Sequence, residues 1–151
     1  MTRILFVCHG NICRSPIAEF VFKDMVRKAG IEDGFEIASA ATSREEIGND
    51  IYPPAKGVLT EHGIAFERRR ARQMTRSDLG HFEYVIAMEA YNLRNISRMF
   101  GEDALKKVSL LMDYTDRPGD VSDPWYTRDF ETAFRDIEEG CASLLFSLEN
   151  R

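Results

Sequence analysis

Cysteine is scarce in this chain: three residues in 151 positions, an odd number. Small secreted domains are stapled by paired cysteines, so this shortage points to a reducing compartment and a core held by ordinary apolar packing. Long hydrophobic runs are missing as well. No stretch approaches the roughly eighteen apolar residues of a membrane span. The opening residues turn at once into Cys8-His9-Gly10 instead of extending into the apolar region of a secretory leader. A cytoplasmic protein with no membrane partner is expected. An excess of positive charge is also lacking: 20 Lys and Arg stand against 25 Asp and Glu, a formal charge of -5, which argues against a broad nucleic-acid footprint. The local exception, Arg68-Arg69-Arg70-Ala71-Arg72, reads as a solvated face. No Cys/His spacing suggests zinc, and neither metal nor cofactor is expected.

What is present fits one domain over residues 1–151. With 44% hydrophobic residues the chain can fill one core and is too short for two ordinary domains. No internal repeat, linker or low-complexity segment is visible. Ile4-Leu5-Phe6-Val7 reads as a strand buried on both faces, ending in a glycine-containing loop. Ser15 then suits an N-cap and Pro16 a first helical residue. Ile17, Val21 and Met25 follow at helical spacing until Gly30. Further strands are expected over 35–38, 84–87 and near 108–111, with helices over 55–62 and 90–100. In the last helix Phe130, Phe134, Ile137, Cys141, Leu144 and Leu148 fall on one apolar stripe, which makes Cys141 a core residue. This alternation predicts an α/β fold: a four-stranded parallel sheet with helices on both faces and ligands at the carboxyl ends of the strands.

Cys8 sits at such an end. The segment Cys8-His9-Gly10-Asn11-Ile12-Cys13-Arg14-Ser15 places a cysteine, five residues and then Arg-Ser between a buried strand and a helix start. A loop curled there can aim successive backbone N–H groups at an anion, and the helix adds its positive end. Gly10 is the residue expected to supply the unusual backbone angles. Arg14 offers a planar, charged fork for two phosphoryl oxygens and should grip harder as charge spreads in the transition state. The same donors stabilise a thiolate, so Cys8 can act as a nucleophile. The Ser15 hydroxyl could donate to that sulfur and ease its departure. An ordinary buried cysteine is the plainer reading, but strand, Cys-x5-Arg-Ser and helix start coincide within a dozen residues. Expelling an alkoxide or phenoxide also needs a proton donor. Asp113, Asp116, Asp120 and Asp123 are candidates. Pro124 biases Asp123 toward extended geometry, which favours it only slightly.

The run from Cys8 to Pro16 resembles the signature of the low-molecular-weight protein tyrosine phosphatases. The likeness extends over nearly the whole chain, through Ser39-Ala40-Ala41-Thr42-Ser43, Glu61-His62-Gly63-Ile64, Ala71-Arg72-Gln73, Asn92-Leu93-Arg94 and Asp123-Pro124-Trp125-Tyr126, in the family's order. It implies hydrolysis of phosphotyrosine and small aryl phosphates through a phosphocysteine. Cys8 would be the nucleophile, Arg14 and loop residues His9, Gly10, Asn11, Ile12, Cys13 and Ser15 the phosphate holders, and Asp123 the acid and then base. Trp125 and Tyr126 would line one wall of the cleft. The resemblance further implies that Asn11 holds the loop through hydrogen bonds, here to Ser15 and Ser39, and that Cys13 can pair with Cys8 under oxidation. Two positions depart from the family: Arg69 stands where histidine is common, and Glu45 where relatives often carry an aromatic of the opposite wall. Rival readings are a thiol-dependent arsenate reductase, which needs more cysteines than remain, and a protein-arginine phosphatase, whose branch carries threonine in place of Ile12. A binding-only module is a third. A monomer or weak homodimer is expected, the latter through the aromatic cleft rim.

Overall fold

The computed structural model describes residues 1–151. Strand β1 (Thr2–Cys8) lies inside a parallel sheet, between β2 (Phe35–Ala41) and β3 (Tyr84–Ala87), and β4 (Val108–Leu110) pairs outside β3. Successive side chains of a strand point to opposite faces, so β1 divides the core in two. Ile4, Phe6 and Cys8 join the larger cluster, with Ile17 and Val21 of α1 (Arg14–Lys28), Ala55 and Leu59 of α2 (Pro53–Glu61), and Phe134, Ile137, Cys141 and Leu144 of α6 (Phe130–Glu149). Leu5 and Val7 join the smaller one, against α3 (Arg76–His81) and α4 (Ala90–Phe100). Helices cover both faces, as the alternation predicts.

Cys141 has no exposed surface, and the stripe of α6 faces the sheet as its spacing requires. Gly140 on the same helix packs so closely that a Cβ there would lie 2.5 Å from Leu111 Cγ, in the 3-10 turn after β4. No helix is long and apolar enough to cross a membrane.

Three local expectations change. The Ile17 amide donates to the Cys13 carbonyl at 3.1 Å, so α1 starts at Arg14 and Cys13 occupies the cap. Ser15, read as the N-cap, is inside the first turn and its hydroxyl is spent elsewhere. Helix α2 begins at Pro53, two residues ahead of its expected start, because Pro53 and Pro54 need no amide partner in a first turn. Two short helices were not legible at all: α3, closed by a Thr75–Asp78 capping box, and the single turn α5 (Pro124–Thr127). Neither is long enough for an apolar period to show.

Candidate active site

The sheet order puts β2 on one side of β1 and β3 on the other, which opens a crevice beyond their carboxyl ends. The loop after β1 and the start of α4 after β3 meet there. Cys8 is 4% exposed, and its Sγ is ringed by donors: the Asn11 amide at 3.3 Å, the Ser15 amide at 3.4 Å and the Ser15 hydroxyl at 3.0 Å.

The direction of that last bond follows from its neighbours. Asn11 Oδ1 accepts from the Arg72 amide, which can only donate, and this orients the side-chain amide. Its Nδ2 therefore donates to Ser15 Oγ and Ser39 Oγ, each at 2.9 Å. Ser15 Oγ, already an acceptor, has its hydrogen left for the Cys8 sulfur. Ser39 in turn donates to Glu19 Oε1 at 2.6 Å. Asn11 thus has the Ser15 and Ser39 partners that the family resemblance implies.

Asn11 also carries the loop's left-handed turn, with φ at 60°, a role expected of Gly10. Asparagine tolerates this region better than most residues with a Cβ. Gly10 serves close approach: a Cβ there would sit 3.2 Å from Glu46 Cγ. The Asn11 carbonyl accepts from Arg69 Nη2, and Arg69 Nη1 donates to the Asn49 carbonyl at 3.2 Å. At position 69 a guanidinium thus completes the loop's network. Burial lowers the Arg69 pKa, against the raising influence of Glu19, Cys8 and Asp50.

Arg14 is buried, and its guanidinium is already gripped. Nη1 donates to Glu89 Oε2 at 2.8 Å and to the Val121 carbonyl at 3.1 Å, while Nη2 lies 3.5 Å from Asp123 Oδ2. Burial works against its charge, but the Glu89 hydrogen bond and the charges of Cys8, Glu89 and Asp123 outweigh it and hold the Arg14 pKa above its ordinary value. Asp123 is the only one of the four aspartate candidates paired with Arg14. Its backbone is extended, as Pro124 favours, and its Oδ1 accepts from the Trp125 amide at 3.0 Å. Asp120 instead accepts from the Ala90 amide at the start of α4 at 3.0 Å.

The cleft above the loop encloses ≈ 630 Å³. Trp125 and Tyr126 line it, and the Trp125 ring packs 5.4 Å from that of Tyr52. Ile12 and Cys13 line it as well, both buried. Burial, reinforced by the negative charge of Cys8, pushes the Cys13 thiol up to about 12, so it stays protonated. His9 sits on the rim: its Nε2 lies 2.9 Å from Glu45 Oε2, and its ring is 5.8 Å from that of Tyr91. This side of the cleft thus carries a His9–Glu45 pair backed by Tyr91. Glu46, Glu89 and Tyr91 line the cleft too and escaped the sequence reading. For Glu89 a signal existed, since it lies just past the carboxyl end of β3, where ligands of such sheets gather. No three His, Cys, Asp or Glu side chains cluster so as to hold a metal ion.

Fold and site together define a doubly wound α/β protein with a thiol at the focus of a loop's amide and hydroxyl donors. A profile of the low molecular weight phosphotyrosine protein phosphatases matches residues 3–151. YfkJ of Bacillus subtilis, a low molecular weight protein-tyrosine-phosphatase, is 39% identical over 151 residues, 99% of this chain and 97% of that protein. Its crystal structure superposes with a TM-score of 0.95 over 99% of this chain and 96% of that one. The low molecular weight protein tyrosine phosphatase of Streptococcus pyogenes is 37% identical, with a TM-score of 0.89 over 98% and 93% of the two chains. A Drosophila arginine phosphatase, 28% identical, superposes with a TM-score of 0.86 over 98% of each chain. The chain belongs to the low molecular weight phosphotyrosine protein phosphatase family.

Proposed function

We propose that this chain hydrolyses phosphotyrosine in proteins, and small aryl phosphates, through a phosphocysteine intermediate. Cys8 Sγ attacks phosphorus as the bond to the leaving oxygen breaks, and Asp123 gives that oxygen its proton. A water then attacks the phosphocysteine, losing its proton to Asp123, and the S–P bond breaks to restore the thiolate. The Ser15 hydroxyl supports the departing sulfur. Arg14 exchanges Glu89 and Asp123 for phosphoryl oxygens and, with the loop amides, carries the charge of the transition state, so no metal is required.

One observation carries this reading: the Cys8 sulfur stands at the convergence of two loop amides and a hydroxyl, with Arg14 and Asp123 ion-paired in the same cleft. Tyrosine as the substrate side chain is supported by the aromatic wall of Trp125 and Tyr126 and by the apolar Ile12 of the same cleft. The physiological form is proposed to be a cytoplasmic monomer or weak homodimer, without nucleic-acid or membrane partners.

The test is phosphate release from a phosphotyrosine peptide in the presence of a metal chelator, compared with Cys8→Ser. Chelator-resistant turnover, reduced about 10,000-fold or more by the substitution, is expected. Turnover of a phosphoarginine peptide in preference to phosphotyrosine would move the substrate assignment to arginine. No turnover of either by the reduced protein would sink the enzymatic reading.

A further inference from the structure

A second cavity of ≈ 420 Å³, sharing no residue with the cleft, is lined by Gly48, Asp50, Arg68, Arg69 and Arg70. Its walls are two short segments tied together by backbone bonds, Gly48 N–H to the Ala71 carbonyl at 2.8 Å and Ala71 N–H to the Asn49 carbonyl. Three consecutive arginines therefore line one space; none of them forms an ion pair, and the Arg68 and Arg70 side chains make no hydrogen bond. Nearby Arg72, by contrast, is paired with Asp78 at 3.0 Å. The one carboxylate in the wall, Asp50, is committed to Lys56 Nζ at 2.7 Å and to the Ile51 and Arg69 amides. Like charges lining one cavity without a counterion repel one another, and an anion relieves that repulsion.

We propose that this cavity binds a small anion bearing two or more phosphoryl groups. No apolar side chain lines it, so it has nothing with which to bury a ring. Guanidinium forks match phosphoryl oxygens two at a time, and three of them outnumber what a single phosphate can use. The volume falls within the range of small-molecule sites, about 300–1,000 Å³. Arg69 links this site to the cleft, because the same guanidinium holds the Asn11 carbonyl of the anion loop. An occupant that draws on Arg69 loosens that hold and slows turnover without competing for the cleft.

The probe is inorganic tripolyphosphate, titrated calorimetrically into the Arg14→Ala protein, whose cleft has lost its grip on anions. Saturable binding near one per chain is expected, weakened about tenfold or more when Arg68→Gln and Arg70→Gln are added. Both residues are exposed, so these changes leave the fold intact. Amide shifts of the unmutated protein provide a check that needs no variant: tripolyphosphate should move residues 48–50 and 68–71 in addition to 10–14. Absence of saturable binding to a folded Arg14→Ala protein, or binding that the glutamine pair leaves unchanged, would overturn the proposal. So would shifts confined to residues 10–14. If the chain proves inactive these readouts still decide the question. If it is active, tripolyphosphate should also lower kcat in a way the glutamine pair abolishes.

Discussion

The anion loop and the segment carrying Asp123 face each other across the same cleft but are built on opposite plans. In the loop, Asn11, Ser15 and Arg14 are all buried, and the polar atoms described above have partners within the protein. The facing segment is tied at its root, by Val121 N–H to the Met88 carbonyl, Ser122 N–H to Asp136 and Asp120 to the Ala90 amide, and meets the loop through the contacts of Arg14 with Val121 and Asp123. Beyond that root, Trp125 is 49% and Tyr126 84% exposed. The difference has a physical reason. Donors that stabilise a spreading charge act most strongly when they need not reorganise at the moment of reaction. The proton donor proposed for the facing segment, and the wall beside it, must instead let product leave.

The contrast is broken most severely at the ion pair joining the two sides. Asp123→Asn should lower kcat for phenyl phosphate about 100- to 1,000-fold, and less for an activated nitrophenyl ester whose leaving group needs little protonation. Equal losses on both esters would deny Asp123 the acid role. Within the loop, Asn11→Ala removes three hydrogen bonds and leaves a Cβ-bearing residue without polar compensation at φ 60°. A fall in kcat of about 10- to 100-fold is expected, with a denaturant-measured stability loss of about 3 kcal/mol. An Asn11→Ala protein as stable and as active as its parent would mean the loop does not depend on this network.

Cys13 sharpens the comparison by pH. Its folded-state value of about 12 lies above the ordinary 9.0, so the folded form keeps a proton that the unfolded chain loses first. Its contribution to stability is therefore full below about pH 9 and fades as pH rises toward about 12. Chemical denaturation of Cys13→Ala beside the parent should reveal that alkaline component as a difference, and iodoacetamide at neutral pH should leave Cys13 unlabelled. The smallest effect belongs to the exposed wall. Trp125→Ala should raise KM for an aryl phosphate about two- to tenfold, with the melting transition nearly unmoved.

Much of this was legible because it is local. A buried strand, seven residues of loop and a helix start lie within two dozen positions, so Cys8, Arg14 and Ser15 could be read together. The first strand announced itself by a continuous apolar run, and the first and last helices by the spacing of their apolar residues. The positive φ could not be assigned between Gly10 and Asn11 from sequence, because both residues tolerate it and the folded loop places it at Asn11. The wall opposite Trp125 was legible only as a missing aromatic, since the pairing of Glu45 with His9 spans 36 residues.

Sequence alone determined the alternation of the four strands with the longer helices and singled out Cys8, Arg14 and, once the resemblance was seen, Asp123 as candidates for the chemistry, because each rests on neighbouring residue types and backbone preference. Tertiary structure decided which carboxylates hold Arg14, that Arg69 braces Asn11, and that three arginines share a cavity with Asp50. Those contacts join segments that are distant along the chain, 75 residues apart for Arg14 and Glu89 and 58 for Asn11 and Arg69, and only the packing of α4 and the two connecting segments against a twisted parallel sheet brings them into reach.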